Sequence, residues 1–323
     1  MVLSKTRKRT AFGLLATIAA LGMALSGCGA PSSSPSKGAN ATQATGKPLD
    51  TKAYEKLVNS GEVASASSVD ANKWAKSVKA AGVLKVGGVK SSTLFSLQSP
   101  DDNKVRGFDA GLSQLLARYI LGDAKTSVSV VDSSTREAVL QNGTVDTVFA
   151  TYSINPARQQ KIDFAGPYLT SQQAILVKST NKTINSVGDL AGKKVGVQAG
   201  STGPAVVKKF APKASAQEFQ TDAELVQALK QGRIDAYVVD ESLVLGDVAK
   251  EPKLLKVAGK PFGDKDEYGI GLPKDSDGAA FVNAWLKKIE ADGTWAKLWK
   301  ITVGNRTGVT KVPTPPAIDE RQK

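Results

Sequence analysis

The sequence predicts an α/β fold with mostly parallel sheets. Three observations carry that expectation. From Val83 onward, short β-rich runs alternate with amphipathic stretches of helical length. The alternation is made twice, with the same punctuation each time. Two extended apolar runs with few turn signals, SQQAILVKS (171–179) and EYGIGLPKD (267–275), follow the two passes.

In the first pass LKVGGV (84–89) reads as a strand. Asp109 is placed to cap a helix in which Leu112, Leu115, Leu116, Tyr119 and Ile120 recur at helical spacing. SVSVV (127–131) is a strand, TREAVLQNG (135–143) a helix ending at glycine, and DTVFAT (146–151) a strand. The second pass repeats this order. KKVGVQ (193–198) is a strand, 203–210 a helix and AQEFQ (216–220) a strand. DAELVQALKQG (222–232) is then a helix and DAYVVD (235–240) a strand. The two extended runs read as strands crossing between two lobes, and helices at 276–290 and 292–300 return to the first lobe.

The passes also agree in detail. LQNGTVDTVFA (140–150) and LKQGRIDAYVV (229–239) share helix end, glycine, β-branched residue, aspartate and apolar strand. The glycine suits a helix C-terminus and the aspartate opens the strand. Any single αβ unit looks much like this. Two copies, each followed by polar residues at the strand's carboxyl end, point to a ligand site, because ligands of open α/β sheets collect there.

The bulk numbers narrow the function. The 323 residues are enough for two domains. The formal charge is +13 and there is no histidine, which removes the commonest general base. A single cysteine rules out an internal disulfide and a cysteine metal cluster. The basic balance invites a nucleic-acid partner, but the lysines are scattered, aromatics are only 6%, and no recognition motif is present. Neither a metal nor a cofactor is expected.

The first residues read as a targeting segment. Lys5, Arg7, Lys8 and Arg9 precede an apolar run, Ala11 to Ala24, too short to span a bilayer comfortably. Leu25-Ser26-Gly27-Cys28 resembles the bacterial lipoprotein signal, which implies cleavage after residue 27 and lipidation of Cys28. Two acyl chains would suffice for stable anchoring. GAPSSSPSKGANATQATGKP (29–48) cannot bury a core and reads as a flexible tether, followed by a weakly helical lead-in to residue 80.

The stretch ATYSINPAR (150–158) joins a strand end to a helix start. Asn155 reads as the N-cap, Pro156 as the first helical residue and Arg158 as the third. A cation is disfavoured there unless an anion compensates it. A ligand carboxylate held bidentately would do so, as would a surface acid.

The ordered motifs GVLKVGG (82–88), VRGFDAGLSQLLA (105–117), SINPARQQKIDFAGPYLTSQQAILV (153–177), LAGKKVGVQAGSTG (190–203), LKQGRIDAYVVD (229–240), YGIGLPK (268–274) and ADGTWAKLW (291–299) resemble the family 3 extracellular solute-binding proteins of amino-acid ABC transporters. Within the family the chain is most similar to the glutamate-binding type of actinobacteria. The resemblance implies a two-lobed, type II periplasmic-binding-protein-like fold with two crossing hinge strands. Lobe 1 would comprise 81–174 and 273–305, lobe 2 residues 175–272, and 306–323 a tail. It also implies roles by position. Arg158 would hold the ligand's α-carboxylate, and Asp240 its ammonium, although Asp240 also stands where it could cap the next helix. Thr151 and Ser153 would add backbone and hydroxyl contacts, and Gln198, Ser201 and Thr202 would touch the ligand from the second lobe. Gln198 stands where other members carry lysine. Arg136, with Lys90 as a second candidate, would pair with an acidic side chain. Many members stack an aromatic on the ligand; Ser133 stands at one such place and Phe95 lies nearby.

The resemblance implies a monomer that binds free glutamate, or else aspartate, glutamine or asparagine, and docks on a membrane permease from the outer face of the cell membrane. An enzyme on the same fold is the first rival. Asp240-Glu241 is the paired carboxylate near the inferred cleft, and neighbours at a strand end point to opposite sides. A sensor is the second; NRTGVTKVPTPPAIDERQK (305–323) carries no signalling domain.

Overall fold

The computed structural model describes residues 46–319. They lie in the larger of the two units into which the chain divides, residues 40–323. The signal segment and Cys28 fall outside the described residues.

Three helices lead in: α1 (Thr51–Asn59), α2 (Ala66–Asp70) and α3 (Lys73–Ala81). Asp50, Ser65 and Asn72 cap them by accepting from Ala53, Ser68 and Ala75 N–H groups. They do not continue the tether. Tyr54, Val58, Val69, Trp74, Ala75 and Val78 are buried in the main hydrophobic cluster. The Asp277 carboxylate accepts from the Lys73 and Trp74 N–H groups at 2.7 and 2.9 Å, and Trp74 Nε1 donates to the Asp146 carbonyl at 3.1 Å.

The first pass then follows as β1 (Leu84–Gly88), the short β2 (Ser91–Ser92), β3 (Ser96–Gln98) and β4 (Val105–Arg106), and α4 (Phe108–Leu121). It continues with β5 (Thr126–Val130), α5 (Arg136–Gln141), β6 (Thr147–Ser153) and α6 (Pro156–Gln159). The long β7 (Asp163–Lys178) leads into the second pass: β8 (Lys194–Gln198), α7 (Gly203–Phe210), β9 (Ser215–Phe219), α8 (Asp222–Gln231), β10 (Ala236–Asp240) and α9 (Glu241–Lys250). The long β11 (Leu255–Leu272) returns, followed by α10 (Gly278–Ala291), α11 (Thr294–Trp299), a π-helical turn at Lys300–Gly304 and α12 (Asn305–Thr307).

Among the described residues the large sheet runs β5-β1-β6-β11-β7-β10-β8-β9, and β2, β3 and β4 make a small second sheet. Each outer trio is parallel, as the alternation predicts. The two long strands between them run antiparallel to each other. The end of β11 pairs with β6, whereas residues 173–176 of β7 pair with β10. The two extended runs therefore do connect the halves, and both strands are longer than the sequence pattern suggests.

The echo between the passes is structural. The Asp146 carboxylate accepts from Lys85 N–H and the Asp235 carboxylate from Lys194 N–H, each at 2.8 Å. Each aspartate locks the start of its strand to the neighbouring parallel strand. Gly143 and Gly232 follow α5 and α8 at φ +69° and +75°, a backbone region glycine enters freely.

Candidate functional site

The carboxyl ends of β6, β8 and β10 converge between the halves of the sheet. β6 delivers Thr151 and Ser153. Thr151 stands at φ +42°, unusual for a residue with a branched Cβ. Its N–H donates to Asp109 Oδ2 at 2.8 Å, and the Tyr168 hydroxyl donates to Oδ1 at 2.8 Å. Asp109 therefore pins a strand end. The expectation that it caps a helix is wrong: Gly107 precedes α4, with no side-chain cap, because the carboxylate is drawn inward by these two donors. Burial pushes the Asp109 carboxyl up to about 7 despite both bonds.

Arg158 sits where its motif puts it. The Asn155 side chain accepts from its N–H at 3.0 Å, and Pro156 opens α6. The guanidinium is not turned to the surface; the residue is only 6% exposed. Nη1 donates to the Ser153 carbonyl at 2.6 Å and Nη2 to the Gly200 carbonyl at 2.9 Å, in the other half. Nε lies 3.5 Å from Glu137 Oε1. Carbonyls on two sides and one carboxylate thus offset the helix dipole that disfavours a cation here.

Arg136 is its neighbour, not a surface residue. It is 4% exposed. Its guanidinium lies 4.1 Å from the Tyr152 ring centre, and that of Arg158 lies 5.0 Å from the same ring. Nη1 donates to the Ala150 carbonyl at 3.0 Å and Nη2 to the Ser133 carbonyl at 3.4 Å. Nε finds no partner among the described residues. Burial and the nearby charge of Arg158 pull Arg136 down to about 10.

The second half contributes β8's end and the GSTG turn. Gln198 Nε2 donates to the Gln220 carbonyl at 3.0 Å. Ser201 Oγ is used within its own turn, donating to the Gln198 carbonyl and accepting from Gly203 N–H. Thr202 Oγ1 donates to Asp266 Oδ2 at 3.1 Å. Gly200 has φ +71°, and a Cβ there would stand 2.8 Å from Ser134 Cα, so this loop lies directly on the Ser133–Ser134 backbone.

Asp240 ends β10 and is 6% exposed. It precedes α9 but makes no side-chain cap. Instead Oδ2 accepts from the Tyr268 hydroxyl at 2.7 Å and Oδ1 from Gln173 Nε2. Burial, then the adjacent Asp266 carboxylate, pushes Asp240 up to about 7.

A cavity of about 440 Å³ opens beside these groups. Lys90, Arg136, Thr151 and Gln198 line it, with Asp222 and Asp247 on the side contributed by the second half. Ser153, Arg158, Ser201, Thr202 and Asp240 are not among its walls. The expected residues thus form two adjoining groups. Arg136, Arg158 and Ser153 are tied together through Tyr152 and backbone carbonyls; Thr202 and Asp240 are tied through Gln173 and Asp266. Phe95 is core, packed edge-on against Phe108, and is not a wall of the cavity. Burial pushes the Asp222 and Asp247 carboxyls up, and the Tyr237 hydroxyl donates to Asp222. Lys90 also borders a second cavity, of about 530 Å³, beside α1.

The sequence reading missed Asp109, Glu137, Gln173, Asp266 and Tyr268. Glu137 is adjacent to Arg136, and Tyr268 stands in a motif already singled out. Asp266 stands one residue before the extended run read at 267–275, although it falls inside β11. Among the described residues no three His, Cys, Asp or Glu side chains group to hold a metal, and no helix is long and apolar enough to cross a membrane.

Comparison with known proteins decides the family. Residues 84–302 match the model of the bacterial extracellular solute-binding proteins, family 3. The chain belongs to that family. The match starts after α3, so the three leading helices precede the family's common body. The ABC transporter glutamine-binding protein GlnH of Bacillus subtilis (strain 168) is 39% identical over 217 residues, 66% of this chain and 78% of that protein. The glutamate-binding protein GluB of Corynebacterium glutamicum is 33% identical over 246 residues, 72% and 83% of the two chains. A solved structure of an ancestral arginine-binding protein bound to arginine superimposes with a TM-score of 0.63 at 34% identity, covering 69% of this chain and 99% of that one. The family 3 solute-binding fold, two αβ halves around two long strands, is therefore the frame in which these buried charges stand.

Proposed function

We propose that this family 3 protein is the substrate-binding component of an ABC importer and captures an acidic or polar amino acid, glutamate first. Lobe 1 (81–174 and 273–305) and lobe 2 (175–272) close about the two crossing strands, as a hinge. Arg158 holds the α-carboxylate, with Thr151 and Ser153 beside it. Asp240 holds the ammonium, with Gln198, Ser201 and Thr202 on the same lobe. Arg136 reads the side chain, with Lys90 at the rim. The closed form docks on permease subunits, and Cys28 carries the lipid that keeps the monomer at the outer face of the membrane. The protein performs no chemistry on its ligand.

One observation carries the reading. Arg136 is buried, stacked on Tyr152 beside a second guanidinium, and bonded by carbonyl oxygens rather than by a carboxylate. A buried cation of this kind favours an anion that reaches it and rejects ligands that leave it unpaired. Relatives named for glutamate and glutamine binding support the ligand class.

A second reading, glutamine, is favoured by Asp222 and Asp247 on the opposite wall of the cavity. An amide can accept from Arg136 and donate to those carboxyls, which a carboxylate cannot do. Calorimetric titration of the full chain against the twenty amino acids separates the two. Glutamate is expected to bind most tightly. Glutamine tighter than glutamate selects the second reading, and no binding by any amino acid defeats both.

A further inference from the structure

Around Asp240 the hydrogen-bonding groups do not balance. Asp240 from β10, Asp266 from β11 and Gln173 from β7 meet where the crossing strands pass the second half. Gln173 Nε2 donates to Asp240 and lies 3.4 Å from Thr202 Oγ1, which donates to Asp266, so the two carboxylates share one hydrogen-bonded cluster. Donors enter from the Tyr268 hydroxyl, the Thr202 hydroxyl and Gln173 Nε2. Against these stand four carboxylate oxygens and Gln173 Oε1. Gln173 is only 2% exposed, and its Oε1 finds no partner among the described residues. Two carboxylates in one cluster with too few donors favour a shared proton or a cation.

We propose that Asp266 and Gln173 complete, with Asp240, the seat for the ligand's ammonium group, and that the seat exchanges one shared proton for that ammonium on binding. This rests on the amino-acid reading above. The exchange balances: R–NH3⁺ enters, one H⁺ leaves to the buffer, and the charge at the seat is unchanged. The ammonium's three N–H donors supply what the cluster lacks, with Gln173 Oε1 as one acceptor.

The surroundings set the pH range. Arg136 of α5 reaches Asp240 with its positive charge; Tyr237 of β10 faces it as a group that becomes negative when it ionises, and Glu241, next in the chain on α9, is half-buried. Ser242 of α9 and Thr202, just before α7, are neutral. With Asp240 pushed up to about 7, the seat carries its proton below neutrality.

Calorimetry of the full chain with L-glutamate and with L-glutamine, in buffers of low and high ionisation enthalpy, counts that proton. About one proton is expected to be released near pH 6 and about none near pH 8.5, with affinity falling by up to about tenfold per pH unit below neutrality. Asp266→Asn is expected to abolish the buffer-dependent heat and flatten the pH profile. Binding with no proton released near pH 6 overturns the proposal, as does an unchanged proton count in folded Asp266→Asn; the wild-type count decides even if that variant does not fold. If no amino acid binds at either pH, the capture reading falls, and this seat falls with it. Binding without proton exchange defeats the seat alone.

Discussion

Arg158 donates to the Gly200 carbonyl at 2.9 Å, so one side chain in the first half of the sheet holds a backbone loop of the second. The same guanidinium donates to the Ser153 carbonyl in its own half. In the proposed reading, closure and ligand capture draw on this single fork of N–H donors. Arg158→Lys keeps the charge and loses the fork. Amino-acid affinity is expected to fall by about 10–100-fold, the value of one or two charge-assisted hydrogen bonds. Titration calorimetry reads this directly, and unchanged affinity would remove Arg158 from the site.

Gly200 is the other end of that contact. Its φ of +71° and the 2.8 Å approach of a Cβ to Ser134 Cα leave no room for a side chain. Gly200→Val is expected to penalise the closed arrangement by about 1–2 kcal/mol from backbone strain alone, with the clash in addition. Small-angle scattering should then show a more open particle, while thermal stability stays near wild type. A scattering curve identical to wild type would count against closure through this loop.

Arg136 decides between side chains in the proposed reading. Arg136→Ala removes a buried cation that no carboxylate bonds. Glutamate affinity should drop by more than tenfold. Glutamine affinity should change less, so the ratio of the two dissociation constants is the diagnostic. An unaltered ratio would assign the side-chain contact elsewhere.

The buried acid Asp109 makes stability depend on pH. Its carboxyl is about 7 in the folded chain, above the ordinary value of about 4. Folded molecules keep that proton across a window in which unfolded chains have lost it. The contribution is thus full below about pH 4 and fades as pH rises to about 7. It amounts to a few kcal/mol at most. The melting temperature should rise on acidification from near pH 8 to near pH 6, and Asp109→Asn should remove part of that slope. A slope preserved in Asp109→Asn would place the titrating group elsewhere.

Trp74 tests the leading helices. It is 7% exposed, packs on Gly278 and hydrogen-bonds Asp146. Trp74→Ala should cost about 3–5 kcal/mol. A denaturant midpoint equal to wild type would show that the leading helices add nothing to the stability of the body.

Much of the fold was legible because it is written locally. The helix read at 203–210 coincides with α7, which a proline in its first turn helps to open. The strand-opening aspartates and helix-ending glycines were legible twice over, since the same short grammar serves both halves. Asn155, Pro156 and Arg158 needed only four consecutive residues to declare a capped helix with a misplaced cation.

The chain's sequence by itself determined the alternation of elements, the duplicated αβ unit and the arginine that needs an anion. Tertiary structure alone decided which charges share one space. Thr151 reaches Asp109 across 42 residues, Tyr268 reaches Asp240 across 28, and Gln173 reaches Asp240 across 67. Periodicity and capping are interactions between near neighbours, so they leave a pattern in the order of residues. Burial and charge pairing depend on distance through space, and the order of residues carries no direct trace of them.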